Sequence, residues 1–310
     1  MNNLWNETEA KKLKNDLLKQ RVYTSRLLGA NEDLVMHGGG NTSVKITKKN
    51  LFGEPEELLY VKGSGWDLGT IEAAGFAPVK MDTLLKMAHL EELSDMDMVK
   101  YQRAAMTDPS APNPSVEAIL HAIIPFTFVD HTHADAIVTI TNSPNGKKKI
   151  QEVFGERMLI VPYVMPGFIL AKTIHKMTQN IDWESIDGMI LLNHGVFSFH
   201  NNAKESYDQM INIVSKAERY LKQNAGNSLK GAKGVRDANL IARSRKKVSE
   251  LWGSPVLAKM DNSAASSAYS SIKNIKSLSA KGPITPDHII RTKQNPVVLG
   301  KDLESDLDQF

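Results

Sequence analysis

Two apolar runs that end in histidine restrict the folds open to this chain more than any other feature. Phe126-Thr-Phe-Val-Asp-His-Thr-His-Ala-Asp135 places His131 and His133 two positions apart at the end of a run rich in aromatic and β-branched residues. Side chains alternate faces along an extended strand, so the two imidazoles point the same way. His194 follows a second apolar run, 189–192, and precedes Gly195, where a turn at the end of a buried strand projects a side chain into a cleft. Three imidazoles from two strand ends suit a divalent metal with one coordination position left open for substrate. An isolated His-x-His is as readily the solvent face of a strand. Here Phe126, Phe128, Val129 and the apolar residues 137–140 argue for burial, where uncompensated polar groups are costly. Asp130 and Asp135 are candidates to fix the imidazole tautomers, unless they are solvated turn residues.

The chain has no cysteine, so disulfides and thiolate ligands are excluded and any metal must be held by nitrogen and oxygen. A net charge of +3 over 310 residues gives no reason to invoke nucleic acid. No stretch approaches the ~18 apolar residues of a membrane span. The N-terminus lacks the basic start and apolar run of a secretory signal. A cytoplasmic enzyme is expected.

The 310 residues suffice for one large domain with an extension, read as 1–255 and 256–310. Helices are expected over 7–29, 82–93, 97–106, 203–223 and 235–252. Another should run to about residue 124, with Ser115 as its N-cap and Pro125 as its stop. Strands are expected over 44–47, 58–61, 126–131, 136–140, 158–164, 188–192 and 196–199. Asn202 and Glu205 form a capping box for the long helix that follows. The serine-rich stretch 263–279 reads as a surface linker or a weakly packed extension. Strands and helices alternate irregularly, which predicts an α/β (α+β) fold: a mixed central β-sheet flanked by helices, not a barrel or a doubly wound nucleotide fold.

Glu117, in Pro114-Ser-Val-Glu117, falls in the first turn of the helix capped by Ser115, where the helix dipole also favours a carboxylate. Near a metal it would instead move protons. His121, four residues on, shares its face and is not counted as a ligand. Gly38-Gly-Gly-Asn-Thr-Ser43 and Lys62-Gly-Ser-Gly65 offer backbone N–H groups, hydroxyls and one lysine charge to an anion. Neither has the spacing of a Walker loop or a dinucleotide fingerprint. With Ser115 at a helix start they lead one to expect a phosphate site.

Together, Gly39-Gly-Asn-Thr-Ser-Val-Lys45, Lys62-Gly-Ser-Gly65, Pro114-Ser-Val-Glu117, Asp130-His-Thr-His133 and Asn193-His-Gly195 give residues 10–225 a resemblance to the class II aldolase/adducin family. A nearer likeness is to the aldolase part of bifunctional rhamnulose-1-phosphate aldolase/short-chain dehydrogenase proteins. Lys62-Gly-Ser-Gly-Trp-Asp67, Tyr163-Val-Met-Pro-Gly-Phe168 and Gly282-Pro-Ile-Thr-Pro-Asp-His288 carry it almost to residue 300. Nothing after that could hold a nucleotide fold, so the chain corresponds to the aldolase part, standing alone or as a piece of something longer.

The resemblance implies a three-layer class II aldolase architecture. It implies zinc, or another divalent metal, on His131, His133 and His194, with Glu117 as the acid/base. It places the substrate phosphate near Gly40, Asn41, Ser43, Ser64, Gly65 and Ser115. Simpler aldolases of the family carry a second hydroxyl residue where Val116 stands, and Lys62 is the expected substitute. The reaction implied is reversible cleavage of a ketose 1-phosphate, such as rhamnulose 1-phosphate, to dihydroxyacetone phosphate and an aldehyde such as lactaldehyde. A homo-oligomer, by resemblance a tetramer, is implied as well. An epimerase, dehydratase or decarboxylase on the same scaffold, an adducin-like module without metal, and a sugar-phosphate binding protein without turnover are the other readings.

Overall fold

A seven-stranded mixed sheet carries the candidate site, in the order β3-β2-β1-β4-β7-β6-β5. Its strands are β1 (Asn41–Lys49), β2 (Pro55–Lys62), β3 (Phe76–Lys80), β4 (Phe128–Thr132), β5 (Met158–Val161), β6 (Gly188–Leu191) and β7 (Gly195–His200). β5 and β6 run parallel; every other neighbouring pair is antiparallel. The structure is a computed structural model that describes residues 1–224, 226, 229, 237–291 and 293–309.

Helices cover both faces of the sheet. Helices in the first part of the chain are α1 (Glu7–Lys11), α2 (Leu17–Gly29), α3 (Met81–His89), α4 (Asp95–Ala104), α5 (Ala118–Ile123), α6 (Asp135–Thr141), α7 (Gly146–Phe154), α8 (Phe168–Thr178) and α9 (Ala203–Asn224). The two-residue alternation of the strands divides the core. On one face Val129, Phe197 and Phe199 pack with Leu120 of α5 and Leu170 of α8, and Leu59 and Val61 pack with Leu84 of α3. On the other, Phe128 and Val44 pack with Leu18 and Val22 of α2, and Val196 and Ile190 pack with Tyr207 and Met210 of α9. The result is the expected three-layer α/β architecture.

Contacts divide the chain into two units. The first comprises Met1–Gln223 together with Ile284–Arg291, and the second comprises Asn224–Pro283 with Thr292–Phe310. The second unit contains α10 (Ala238–Trp252), α11 (Ala264–Ser270), α12 (Ile275–Ser279) and α14 (Leu303–Asp308), while α13 (Pro286–Arg291) belongs to the first. Within the second unit Arg243 pairs with Glu304 at 2.7 Å and Lys247 with Asp308 at 2.6 Å, tying α10 to α14. Among the described residues no helix is long and apolar enough to cross a membrane.

Several expected elements differ. Residues 136–140 form helix α6, not a strand, and Ala136, Ile137, Val138 and Ile140 are all buried. Asp135, Thr139 and Asn142 are exposed at helical spacing, a period that the β-branched content of the run outweighs in a reading by residue type. The expected 7–29 helix is two: Asp16 accepts a hydrogen bond from Lys19 N at 3.0 Å and starts α2 afresh. The stretch 263–279 contains α11, capped by Ser263 on Ser266 N at 3.2 Å, and α12. Positions 235–236 of the expected 235–252 helix lie outside the described residues.

Arg21 of α2 and Asp130 of β4 are both fully buried and lie 2.5 Å apart. The guanidinium also donates to Thr24 Oγ1 at 2.6 Å, and Ser206 Oγ of α9 donates to Asp130 Oδ2 at 2.5 Å. Removing one partner of such a pair leaves an uncompensated buried charge. Arg21→Met should therefore lower the free energy of unfolding by about 3–5 kcal/mol, read from denaturant midpoints. A loss below about 1 kcal/mol would show that the pair does not brace β4.

Candidate active site

Four ends of interior strands, of β1, β4, β6 and β7, meet along one end of the sheet. His131 lies next to the end of β4, in register with Asn41 at the start of β1 and with Phe197 of β7. His133 is one residue past the strand. His194 occupies the tight turn between β6 and β7, beside Asn193, which has φ +60. Asparagine tolerates that left-handed backbone better than most residues. Gly195 lets the turn come close: a Cβ there would lie 2.4 Å from the Thr132 carbonyl oxygen and 2.9 Å from His131 Cε1. The ring centroids of His131, His133 and His194 are 4.9, 5.0 and 5.2 Å apart, and one nitrogen from each lies within 4.8 Å of the others.

Hydrogen bonds fix two of the tautomers. His131 Nδ1 faces the Val196 carbonyl oxygen at 3.1 Å. A carbonyl only accepts, so Nδ1 carries the proton and Nε2 presents a lone pair. His133 Nδ1 donates to Asp287 Oδ1, so in the neutral ring Nε2 is the lone pair. Glu117 brings its carboxylate against this cluster, with Oε2 3.6 Å from His131 Nε2 and Oε1 3.7 Å from His194 Nε2. Glu117 Oε1 and His131 Nε2 are buried and have no hydrogen-bond partner among the described residues.

Glu117 sits at the N-cap of α5, two residues ahead of its expected place in the helix frame, because the helix begins at Ala118. Ser115 shapes the preceding turn: its Oγ accepts from Glu117 N at 3.3 Å and its carbonyl from Ala118 N at 3.0 Å. The Glu117 side chain makes no cap hydrogen bond and is free to face the histidines. Asn41 Nδ2 donates to Glu117 Oε2 at 2.7 Å, His121 Nε2 meets Asn41 Oδ1, and Ser43 Oγ lies 2.8 Å from His121 Nδ1. Burial pushes the His121 pKa down to about 3, so its ring is neutral and has one N–H. That proton goes to the amide oxygen, and Nδ1 accepts from Ser43. The chain thus runs in one direction, Ser43 to His121 to Asn41 to Glu117.

The glycine-rich loops close the cleft. A cavity of about 340 Å³ is lined by Gly40, Asn41, Lys62, Ser64, Gly65, Ser115 and Glu117, along with His133 and His194. Lys62 Nζ donates to the Gly38 carbonyl oxygen at 2.7 Å and so ties one loop to the other. Ser64 N donates to Asn113 O at 2.8 Å and Ser115 N to Lys62 O at 3.1 Å, which docks the second loop on the Ser115 turn. Ser43 is not part of this lining: its hydroxyl is buried against His121. Asn41 lines the cavity, with its amide engaged by Glu117 and His121.

Residues 19–221 match the family described as class II aldolase and adducin N-terminal domain. The chain belongs to that family. Residues 235–310 match the family described as aldolase class II, second domain. The chain is 32% identical over 307 residues to the uncharacterized oxidoreductase YuxG of Bacillus subtilis strain 168, covering 96% of this chain and 44% of that protein. It thus spans less than half the length of that relative. The N-terminal class II aldolase domain of a conserved protein from Thermoplasma acidophilum is 43% identical, with a TM-score of 0.65 over 71% of this chain and 99% of that one.

Class II aldolases typically depend on a divalent metal, and the buried imidazole cluster fits one. Lone pairs of His131 Nε2 and Glu117 Oε2 face each other at 3.6 Å, an arrangement that only a cation or a shared proton between them makes favourable. Imidazole donors without thiolates suit several divalent metals, zinc among them. The carboxylates expected to orient the histidines do not do so. Asp130 is held by Arg21 and Ser206 on the opposite face of the sheet. The Asp135 carboxyl, raised above its usual range by partial desolvation and by nearby Asp33, is exposed at the start of α6 and has no hydrogen bond to the three rings among the described residues. Their place is taken by the Val196 carbonyl and by Asp287. Asp287 was not singled out by sequence; its signal is the string Gly282-Pro-Ile-Thr-Pro-Asp-His288.

Burial also lowers the pKa of His131, further depressed by His133 and His194, and that of His194. The unfolded chain takes up protons on these rings below about pH 6.5, while the folded chain excludes them. Stability present above that pH is therefore lost as the pH falls. In metal-free protein the unfolding free energy should drop between pH 6.5 and 5 by roughly 1.4 kcal/mol per pH unit for each ring kept neutral. A flat profile from denaturant titrations would contradict the burial of these imidazoles.

Proposed function

We propose that this protein is a zinc-dependent class II aldolase that reversibly cleaves a ketose 1-phosphate, of the rhamnulose 1-phosphate type, to dihydroxyacetone phosphate and an aldehyde such as lactaldehyde. The observation that carries the reading is the buried Glu117 carboxylate set 3.6 Å from His131 Nε2 inside a three-imidazole cluster. His131, His133 and His194 would hold the metal, which acts as a Lewis acid that polarises a ketone and offsets the negative charge left when a carbon–carbon bond breaks.

The chain's own residues supply the rest. Glu117 delivers a proton to the substrate carbon that loses its bond to the aldehyde, and removes it in the synthetic direction. Asn41, held by His121, donates to Oε2 at 2.7 Å and leaves Oε1, 3.7 Å from His194 Nε2, without a hydrogen-bond partner among the described residues. Ser64, Gly65, Gly40, Asn41 and Ser115 receive the phosphate, with Lys62 supplying charge where Val116 offers no hydroxyl. Ser43 acts in this reading through His121 and not on the phosphate. Holding the phosphate orients the reacting carbons, which contributes to rate through positioning. The sugar hydroxyl beside the breaking bond needs a second base, which we place on a neighbouring copy in a homo-oligomer, a tetramer by resemblance. Exposed Met165 and Ile169, flanking Pro166 at the cavity, support such a neighbour. The enzyme would act in the cytoplasm on small sugar phosphates.

Metal content and release of dihydroxyacetone phosphate from rhamnulose 1-phosphate and fuculose 1-phosphate, with and without chelator, test the proposal. Bound zinc and chelator-sensitive release are expected. Metal without release would favour an epimerase or dehydratase on the same scaffold, and absence of metal after reconstitution would sink the three-histidine reading. Glu117→Gln should keep zinc and lose at least about 10²-fold in turnover; near-normal cleavage would reject its role. Lys62→Ala should raise KM for the phosphorylated sugar, and an unchanged KM would remove Lys62 from the phosphate site.

A further inference from the structure

Asp287 reaches the candidate metal site from far along the chain. It is 154 positions from His133, whose Nδ1 donates to its Oδ1. It falls within the stretch 235–310 that matches the second domain of the family, yet Ile284–Arg291 is part of the first compact unit. Its carboxylate is almost fully buried, at 3% exposure. The other oxygen accepts from the Met36 backbone N–H at 2.8 Å.

Two local features hold it there. Pro286 opens α13, a position where its fixed φ suits a helix and its missing N–H costs nothing. Thr285 Oγ1 lies 2.8 Å from His288 Nδ1, bracing the turn on either side. The Gly38-Gly39-Gly40 loop is shaped to receive the carboxylate: a Cβ on Gly39 would lie 1.9 Å from Asp287 Oδ1. Gly39 therefore has a reason to be glycine that has nothing to do with a phosphate.

We propose that Asp287 is a positioning residue for the metal centre, so that full metal affinity depends on a segment of the second-domain sequence. The carboxylate accepts the Nδ1 proton of His133, fixes the ring plane and directs the Nε2 lone pair at the metal. A carboxylate partner also makes the imidazole a stronger donor. In return, a cation on the far side of His133 compensates the buried charge, which with only neutral partners is costly. The inference rests on the metal-site reading given above.

The test is zinc affinity of the full chain, by competition with a chromogenic chelator, together with the visible spectrum of the cobalt-substituted protein. Asp287→Ala should bind zinc about 10–100-fold more weakly and shift the cobalt bands, with a smaller loss in Asp287→Asn, which keeps an acceptor. Gly39→Ala leaves Asp287 in the sequence and displaces its carboxylate, so it should weaken zinc binding too; it decides the matter if Asp287→Ala does not fold. Wild-type affinity and an unchanged cobalt spectrum in Asp287→Ala, or in Gly39→Ala in that event, would overturn the role of Asp287 alone. Failure of the wild-type protein to bind zinc or cobalt would instead overturn the metal site and this inference with it.

Discussion

Asp130 and His131 are consecutive residues of a central, fully buried strand, so they face opposite layers and each requires its own electrostatic partner. On one side Arg21 and Ser206 satisfy Asp130; on the other His131 stacks on Phe197, with centroids 4.1 Å apart, and turns Nε2 toward Glu117. The ion pair ties α2 to β4, the Ser206 hydrogen bond ties α9 to it, and together they hold the strand's height in the sheet. That height determines where His131 and His133 emerge. A shift of one residue would exchange the two faces, burying a carboxylate against Phe197 and an imidazole against a guanidinium.

Polar groups at the site are satisfied unevenly, in a pattern that fits a cation. Asn41, His121 and Ser43 form a closed neutral chain beneath Glu117. Above it, Glu117 Oε1 and His131 Nε2 stay unpartnered among the described residues. An unmet buried polar group costs about 1–3 kcal/mol. Zinc sites in small folding peptides bind with roughly 10–16 kcal/mol, so a metal can offset such strain many times over. Depressed histidine pKa values act in the same direction, because rings that stay neutral do not lose their lone pairs to protons.

Legibility in the sequence follows the range of the interaction. β4, β6 and β7 were readable because each is a short apolar run ending in a turn. The three histidines could be grouped because each ends such a run. α6 reads as a strand because Ile137, Val138, Thr139 and Ile140 are β-branched, although the exposed residues Asp135, Thr139 and Asn142 follow the helical spacing. β3 was missed: Pro78 argues against a strand except at a sheet edge, which is where β3 lies. The start of α5 was set two residues early because Ser115 resembles an N-cap while its hydroxyl serves the turn before the helix. Ser43 looked like a phosphate contact in a glycine-rich string, but strand β1 turns it inward onto His121. Asp287 stands in the string Gly282-Pro-Ile-Thr-Pro-Asp-His288, but nothing local ties it to the histidines, since its partners Met36 and His133 are distant in sequence.

The glycines that first suggested a phosphate cradle answer a steric demand as well. Gly195 admits the Thr132 carbonyl and the His131 ring at distances no Cβ tolerates, and Gly39 admits Asp287. Replacing a glycine by alanine where the backbone allows it stabilises a protein by about 0.4–1 kcal/mol through the unfolded state. Contacts of 2.4 Å and 1.9 Å forbid that gain here, because the obstructing atoms are a backbone carbonyl oxygen of β4 and a buried carboxylate. Both glycines serve the imidazole cluster, one by bringing in His194 and the other by admitting the partner of His133. Anion binding by exposed N–H groups and dense packing behind them are thus compatible uses of the same loops, and glycine in such a string is not by itself a sign of phosphate.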